Sequence, residues 1–231
     1  MFVVELIQHF VGLLFPNLCE VCGSSLHSRE RVLCVSCIYH LPRTHYWEEA
    51  GNPVEQLFWG KLYIEHACAL FFFEKGSRYR KMLHKLKYNG KKEIGFELGR
   101  RLGMELKEAL LYQSIDVIVP VPLHPKKQRK RGYNQSEQIA RGIANVTGWA
   151  VDANGMIRRT FTTSQTNKTR LDRWKNVAEV FSVNHAETLA GKHILLVDDV
   201  ITTGSTIEAC ACHLLDIDGC KVSVAALACI K

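Results

Sequence analysis

No apolar run in these 231 residues is long enough to cross a bilayer, which takes about 20 consecutive apolar residues in a helix. The longest, MFVVELIQHFVGLLF at 1–15, is interrupted by Glu5, Gln8 and His9 and closed by Pro16. It also lacks the basic start and small-residue cleavage site of a secretory signal. Internal repeats and low-complexity tracts are missing, and no G-x-x-x-x-G-K precedes any helix pattern, which excludes a Walker-type loop. Apolar residues at 47% and charged residues at 23% are ordinary globular values and exclude collagen-like, coiled-coil and disordered classes. The length allows one domain with an appendage, or two unequal ones. A net charge of +7 suggests an anionic partner, either a phosphate-bearing ligand or nucleic acid. Within the leading stretch Val3, Leu6, Ile7, Phe10, Val11 and Leu14 keep helical spacing, predicting an amphipathic helix packed on the rest of the protein. No stable membrane insertion is expected, since surface attachment would want basic flanks.

Nine cysteines are an odd number in two groups, a poor disulfide framework. Cys19, Cys22, Cys34 and Cys37 form C-x2-C-x11-C-x2-C. Each pair can chelate from a tight turn, and the loop between lets the turns face each other, which meets the tetrahedral demand of a structural Zn2+. Four thiolates leave no open position for chemistry. Cys68, Cys210, Cys212, Cys220 and Cys229 lie in apolar or helical stretches and read as core. Reduced thiols predict a cytoplasmic protein.

The stretch 43–66 has no sustained period and breaks at Gly51, Asn52 and Pro53, so the boundary is placed there: a helix plus four-cysteine module over 1–50 and a main domain over 51–231. From Cys68 on, apolar strand patterns (ACALFFFE, IDVIVPVP, HILLVDDV, KVSVAALACI) alternate with helical ones, the longest carrying Ile94, Leu98, Leu102 and Leu106 on one side. Such alternation predicts an α/β fold, a parallel sheet flanked by helices.

The most informative segment is ILLVDDVITTGST, 194–206. Four apolar residues bury a strand, and Asp198 and Asp199 then emerge at its C-terminal end, where open α/β sheets bind ligands. The hydroxyl-rich turn that follows opens a helix, whose unpaired N–H groups and dipole cradle anions. Carboxylates only accept hydrogen bonds and sugar hydroxyls can donate them, so acids beside a phosphate cradle suit a phosphorylated sugar.

This segment resembles the 5-phosphoribosyl 1-pyrophosphate (PRPP) signature of type I phosphoribosyltransferases. The wider chain resembles the competence protein F (ComF) family through FPNLCEVCG, the four cysteines, LKYNGKKEIGFELGRRLG, VPVPLHPKKQRKRGYNQSEQIA, the SQT-to-RWKNV segment and VDDVITTGST. The resemblance implies that Asp198 and Asp199 contact the ribose hydroxyls of PRPP. It implies that Thr202, Thr203, Gly204, Ser205 and Thr206 hold the 5-phosphate, with Mg2+ on pyrophosphate and ribose oxygens. The reaction implied is displacement of pyrophosphate from C1 by a nitrogen nucleophile, with a basic environment stabilising the leaving group. Where 6-oxopurine salvage enzymes carry an aspartate, three residues after the second acid, this chain has Thr202. Threonine is no general base near neutral pH, which argues against hypoxanthine or guanine as acceptor. A role in natural competence is also implied, in handling single-stranded DNA beside a helicase partner; the alternatives are a non-enzymatic adaptor that kept the fold to bind DNA or partners, and a nucleotide-metabolism transferase unrelated to DNA uptake.

Three further stretches bear on that site. Lys126, Lys127, Arg129, Lys130 and Arg131 follow a strand end, and Arg131 in RGYNQ is the favoured ligand contact; a solvated charge run is the alternative for the others. The polar stretch 158–175 resembles a mobile hood, with Gln165, Arg173 and Asn176 at family positions; a plain surface loop is the alternative. Residues 75–92 hold eight Lys or Arg and no acid, interleaved with Tyr79 and Tyr88. They predict either nucleic-acid contact or a helix guarding the PRPP site, and Lys87 of LKYNG serves either role.

Overall fold

The computed structural model describes residues 16–158 and 180–231. The leading apolar stretch and the hood with Gln165, Arg173 and Asn176 lie outside them.

Nine-residue strands β6, His193–Ile201, and β7, Lys221–Cys229, form the centre of the fold. With β1, Ala67–Phe72, β2, Val117–Pro120, and β3, Ala150–Val151, they make one parallel sheet in the order β1-β7-β6-β2-β3. Their near-continuous apolar runs follow from burial on both faces. Leu195 and Val197 join a core with Cys68 and Leu70 on one face, while Ile194 and Leu196 join a second with Ala67 and Ala69 on the other. That parity is the period of two along a strand.

Helices cover both faces. Helix α1, Val35–Tyr39, belongs to the cysteine module, and α2, Pro53–Gln56, follows the Asn52 cap. Next come α3, Arg78–Tyr88, and α4, Lys92–Glu108, whose Ile94, Leu98, Leu102 and Leu106 are all buried as the spacing predicts. Beyond β2 lie α5, Pro125–Arg131, and α6, Gln135–Thr147; the turn of α7, Ala186–Leu189, precedes β6, and α8, Ser205–Leu215, follows it. The antiparallel pair β4, Met156–Arg158, and β5, Phe181–Val183, stands apart from the main sheet.

Helices α3, α4 and α6 pack on one face, and α2 and α8 on the other. The chain therefore leaves adjacent strands β2 and β6 toward opposite faces, which opens a crevice at their C-terminal ends. Contact between α4 and α6 is backbone on backbone: a Cβ on Gly142 would lie 2.1 Å from the Phe96 carbonyl oxygen, and one on Gly99 2.3 Å from that of Ile139.

Two segments differ from simple expectation. The aperiodic stretch 43–66 is strapped to the sheet edge by side chains. Asn52 Nδ2 donates to the Ala67 carbonyl at 2.8 Å and Glu55 Oε1 accepts from Ala67 N–H at 3.1 Å, beside a backbone bridge from Arg43 to Phe71. Side-chain pairing needs no repeat, so no period marks it. The basic run after β2 forms a short helix, because Pro125 presets its first turn, His124 Nδ1 accepts from Lys126 N–H, and Gly132 ends it at φ +82°.

Candidate functional site

Asp198 and Asp199 lie at the crevice end of β6, and both are buried. Asp198 Oδ1 accepts from Ser136 Oγ at 3.0 Å and from Asp199 N–H at 2.8 Å. Burial first, then the charge of Asp199, pushes the Asp198 carboxyl up to about 7; those hydrogen bonds and Lys87 oppose the rise. Asp199 Oδ1 pairs with Lys87 Nζ at 3.0 Å, while its Oδ2 is buried without a hydrogen-bond partner among the described residues. One carboxylate acceptor thus stays open for a hydroxyl or a cation.

The turn after β6 carries Thr202, Thr203, Ser205 and Thr206, all exposed, around buried Gly204. Gly204 has φ +77°, and an added Cβ would meet Phe58 Cε1 at 3.0 Å. Conformation and packing thus both require glycine here. Gly204 caps α8 with no side-chain hydrogen bond, so the first amides of this 11-residue helix remain available to an anion. Thr203 Oγ1 and Ser205 Oγ lie 3.1 Å apart and frame the turn.

Cations close the other side. A cavity of about 430 Å³ is lined by Lys87, Tyr88, Gly90, Lys127, Lys130 and Arg131. Arg131 stacks over the Tyr88 ring at 5.5 Å and donates to Gln135 Oε1. Tyr88 in turn lies 4.6 Å from the His84 ring. The structure thus brings Lys87 to Asp199 and Arg131 to the cavity that Lys87 lines.

Pattern reading passed over three residues. Ser136 holds Asp198, and Asn134 supports that turn by capping α6 and donating to the Val121 carbonyl at 2.9 Å; the N-x-S start of the helix was the available signal. Phe58, under the Gly204 turn, carries no sequence signal.

The sequence profile of the phosphoribosyl transferase domain matches residues 113–229, more than half of the chain. The chain belongs to the phosphoribosyltransferase family. Within it, the chain is 28% identical over 214 residues to the DNA utilization protein YhgH of Escherichia coli K12, covering 90% of this chain and 88% of that one. It is 27% identical over 214 residues to Competence protein F of Haemophilus influenzae, covering 82% and 87%. These relatives bear out the ComF resemblance carried by the motifs. Among solved structures, glutamine PRPP amidotransferase from B. subtilis aligns with a TM-score of 0.41 at 22% identity, over 57% of this chain and 26% of that one.

Away from the crevice, the four sulfurs of Cys19, Cys22, Cys34 and Cys37 lie within 4.8 Å of one another, with Cys22 Sγ 3.7 Å from Cys34 Sγ. A tetrahedron with metal–sulfur bonds of about 2.3 Å has edges of about 3.8 Å, so the donor set fits a four-sulfur metal site. Backbone N–H groups support the sulfurs, Cys34 N–H donating to Cys19 Sγ at 3.4 Å and Cys37 N–H to Cys34 Sγ at 3.5 Å. All nine cysteines are free thiols. No helix among the described residues is long and apolar enough to cross a membrane.

Proposed function

We propose that this phosphoribosyltransferase-family protein binds PRPP with Mg2+ at the β2–β6 crevice and serves DNA utilization, with a Zn2+-bearing module over 1–50 and the transferase domain over 51–231. The observation that carries the reading is the buried acid pair at the end of β6, facing the Gly204 turn on one side and a cation-lined cavity on the other. Asp199 Oδ2 and the buried Asp198 suit the ribose hydroxyls, which donate to both. The turn 202–206 suits the 5-phosphate, and Lys87, Lys127, Lys130 and Arg131 suit the pyrophosphate. Bound Mg2+ would neutralise pyrophosphate charge. As pyrophosphate departs from C1, the four cations stabilise the charge it gains, and the buried acids favour the cationic sugar over its neutral precursor. Thr202 offers no general base at its position, which argues against a 6-oxopurine acceptor.

The relatives' names, together with the exposed cations of α3 and α5, support a role with DNA, which for an imported strand means single-stranded DNA. A helicase partner is supported by the family resemblance alone. Free thiols and a four-sulfur site support residence in the reducing cytoplasm, and thiolates at this spacing favour zinc.

Calorimetry with PRPP and Mg2+ tests the reading. Charge-assisted hydrogen bonds are worth about 1.5–3 kcal/mol each, so Asp198→Asn with Asp199→Asn should weaken PRPP at least about tenfold. Unchanged binding by this double variant would sink the assignment.

A further inference from the structure

The four-cysteine module and the crevice are joined by one helix. Glu20 sits inside the first chelating turn, between Cys19 and Cys22. Its Oε2 pairs with Lys85 Nζ at 2.8 Å and its Oε1 with Lys91 Nζ at 3.0 Å; Lys85 Nζ also donates to the Glu20 carbonyl at 3.1 Å. At the other end of α3, Tyr79 donates its hydroxyl to the Cys37 carbonyl at 2.7 Å. The module therefore grips α3 and the turn after it at Tyr79, Lys85 and Lys91, using backbone and side-chain groups next to its sulfurs.

Lys87 is two residues beyond Lys85, which turns it by about 200° around the helix axis. On α3 the cysteine module thus holds Lys85 on one flank of the buried stripe while Lys87, on the other flank, reaches Asp199 at 3.0 Å. Buried Met82, Leu83 and Leu86 fill the core between. A lysine on a free helix would sample many rotamers, whereas here the helix that carries it is tied on its other flank.

We infer that the cysteine module is a positioning element for the ligand site, with Glu20 as the positioning residue that sets α3 so that Lys87 meets Asp199. This rests on the PRPP reading for its consequence, though not for its geometry. Glu20 touches no substrate. It acts through Lys85, Lys91 and the helix they anchor, and its loss loosens the cation that contacts the acid pair.

The test is run on full-length protein with two independent readouts. Brief treatment with an amine-acylating reagent, read by mass spectrometry, reports the protection of each lysine; exposed Lys81 on the same helix is the internal reference. In Glu20→Gln, Lys87 should become acylated about fivefold faster relative to Lys81, as loss of a paired state predicts. Calorimetry with PRPP and Mg2+, well below the variant's melting temperature, should show affinity down about fivefold, part of what losing one charge-assisted contact costs. In a Lys87→Gln background the same change should move PRPP affinity less than about twofold, because coupled residues are not additive. Unchanged Lys87 reactivity, or a fully additive loss of affinity, overturns the inference. If wild-type protein binds no PRPP yet Lys87 still responds to Glu20, the PRPP reading fails and the coupling stands. If PRPP binds and Lys87 ignores Glu20, the reverse holds. Should Glu20→Gln not fold, Tyr79→Phe removes only the bond to the Cys37 carbonyl and should shift Lys87 reactivity in the same direction; no shift in that variant overturns the inference equally.

Discussion

Asp198 is held ionised or protonated by a narrow balance. Its carboxyl is raised to about 7 by burial and by Asp199, well above the ordinary 3.8 of an unfolded aspartate. A folded-state pKa raised in this way contributes stability that is fully present below the unfolded value and is lost as pH rises through the folded one. The acid at this position should therefore cost the apo protein stability progressively as pH rises from 3.8 to about 7, with the full cost standing above that. Asp198→Asn keeps an acceptor for Ser136 and removes the buried charge, so it should raise the melting temperature at pH 8 by roughly 3 °C or more, by less at about pH 5, and leave it nearly unchanged below the unfolded value of 3.8. Thermal melts across that range check it, and a variant less stable than wild type at pH 8 would refute the account. The same substitution weakens a site that needs an ionised acceptor, so stability and ligand affinity should move in opposite directions.

At the scale of elements, helix packing and surface charge make separate predictions. Gly142 of α6 faces the Phe96 carbonyl with room for no more than a hydrogen, and a Cβ there would collide with backbone atoms that cannot rotate away. Gly142→Ala should destabilise by about 3 kcal/mol, at the upper end of overpacking costs, and denaturant midpoints read it. A loss under about 0.5 kcal/mol would mean that α4 and α6 separate without penalty. Charge on α3 and the turn after it divides by partner: Lys85 and Lys91 hold Glu20 and Lys87 holds Asp199. Lys81 and, on α5, Lys126 and Arg129 have no acidic partner within 4.0 Å among the described residues, and all three are exposed. Changing these three to Gln should lower the salt slope of single-stranded DNA binding by about two units, at about 0.7 per phosphate, and leave PRPP affinity alone. Filter binding over a salt series decides it; an unchanged slope would remove both helices as the DNA contact.

The molecule as a whole has a core that crosses residue 50. Cys19, Cys37, Leu41 and Trp47 belong to the same buried cluster as Met82, Leu98 and Ile118, and Arg43 pairs with Glu105 at 2.7 Å. Releasing the module's metal should therefore lower the stability of the whole described fold rather than melt an independent piece. Metal analysis of protein purified without oxygen should find about one zinc per chain. Scanning calorimetry before and after chelation should show one transition that shifts down as one. Two separated transitions would indicate a module that folds by itself.

The strands and long helices, the acid pair, the turn 202–206 and the cysteine spacing were legible because each is a local pattern. An apolar strand buried on both faces, a helix stopped by Gly148, and two carboxylates ahead of a hydroxyl-rich turn depend on residues adjacent in the chain. Local chemistry likewise lets paired cysteines chelate from turns. What sequence could not decide was which distant residues meet. Ser136 lies 62 residues from Asp198, and Glu20 lies 65 from Lys85; Phe58 reaches Gly204 from another element again. The run of eight positive charges at 75–92 is uniform in sequence, and only the fold sorts it into lysines that grip the cysteine module, one that meets Asp199, and others open to solvent. Periodicity reports which face of an element is buried, but the partner of a charge is set by which elements the sheet order brings side by side.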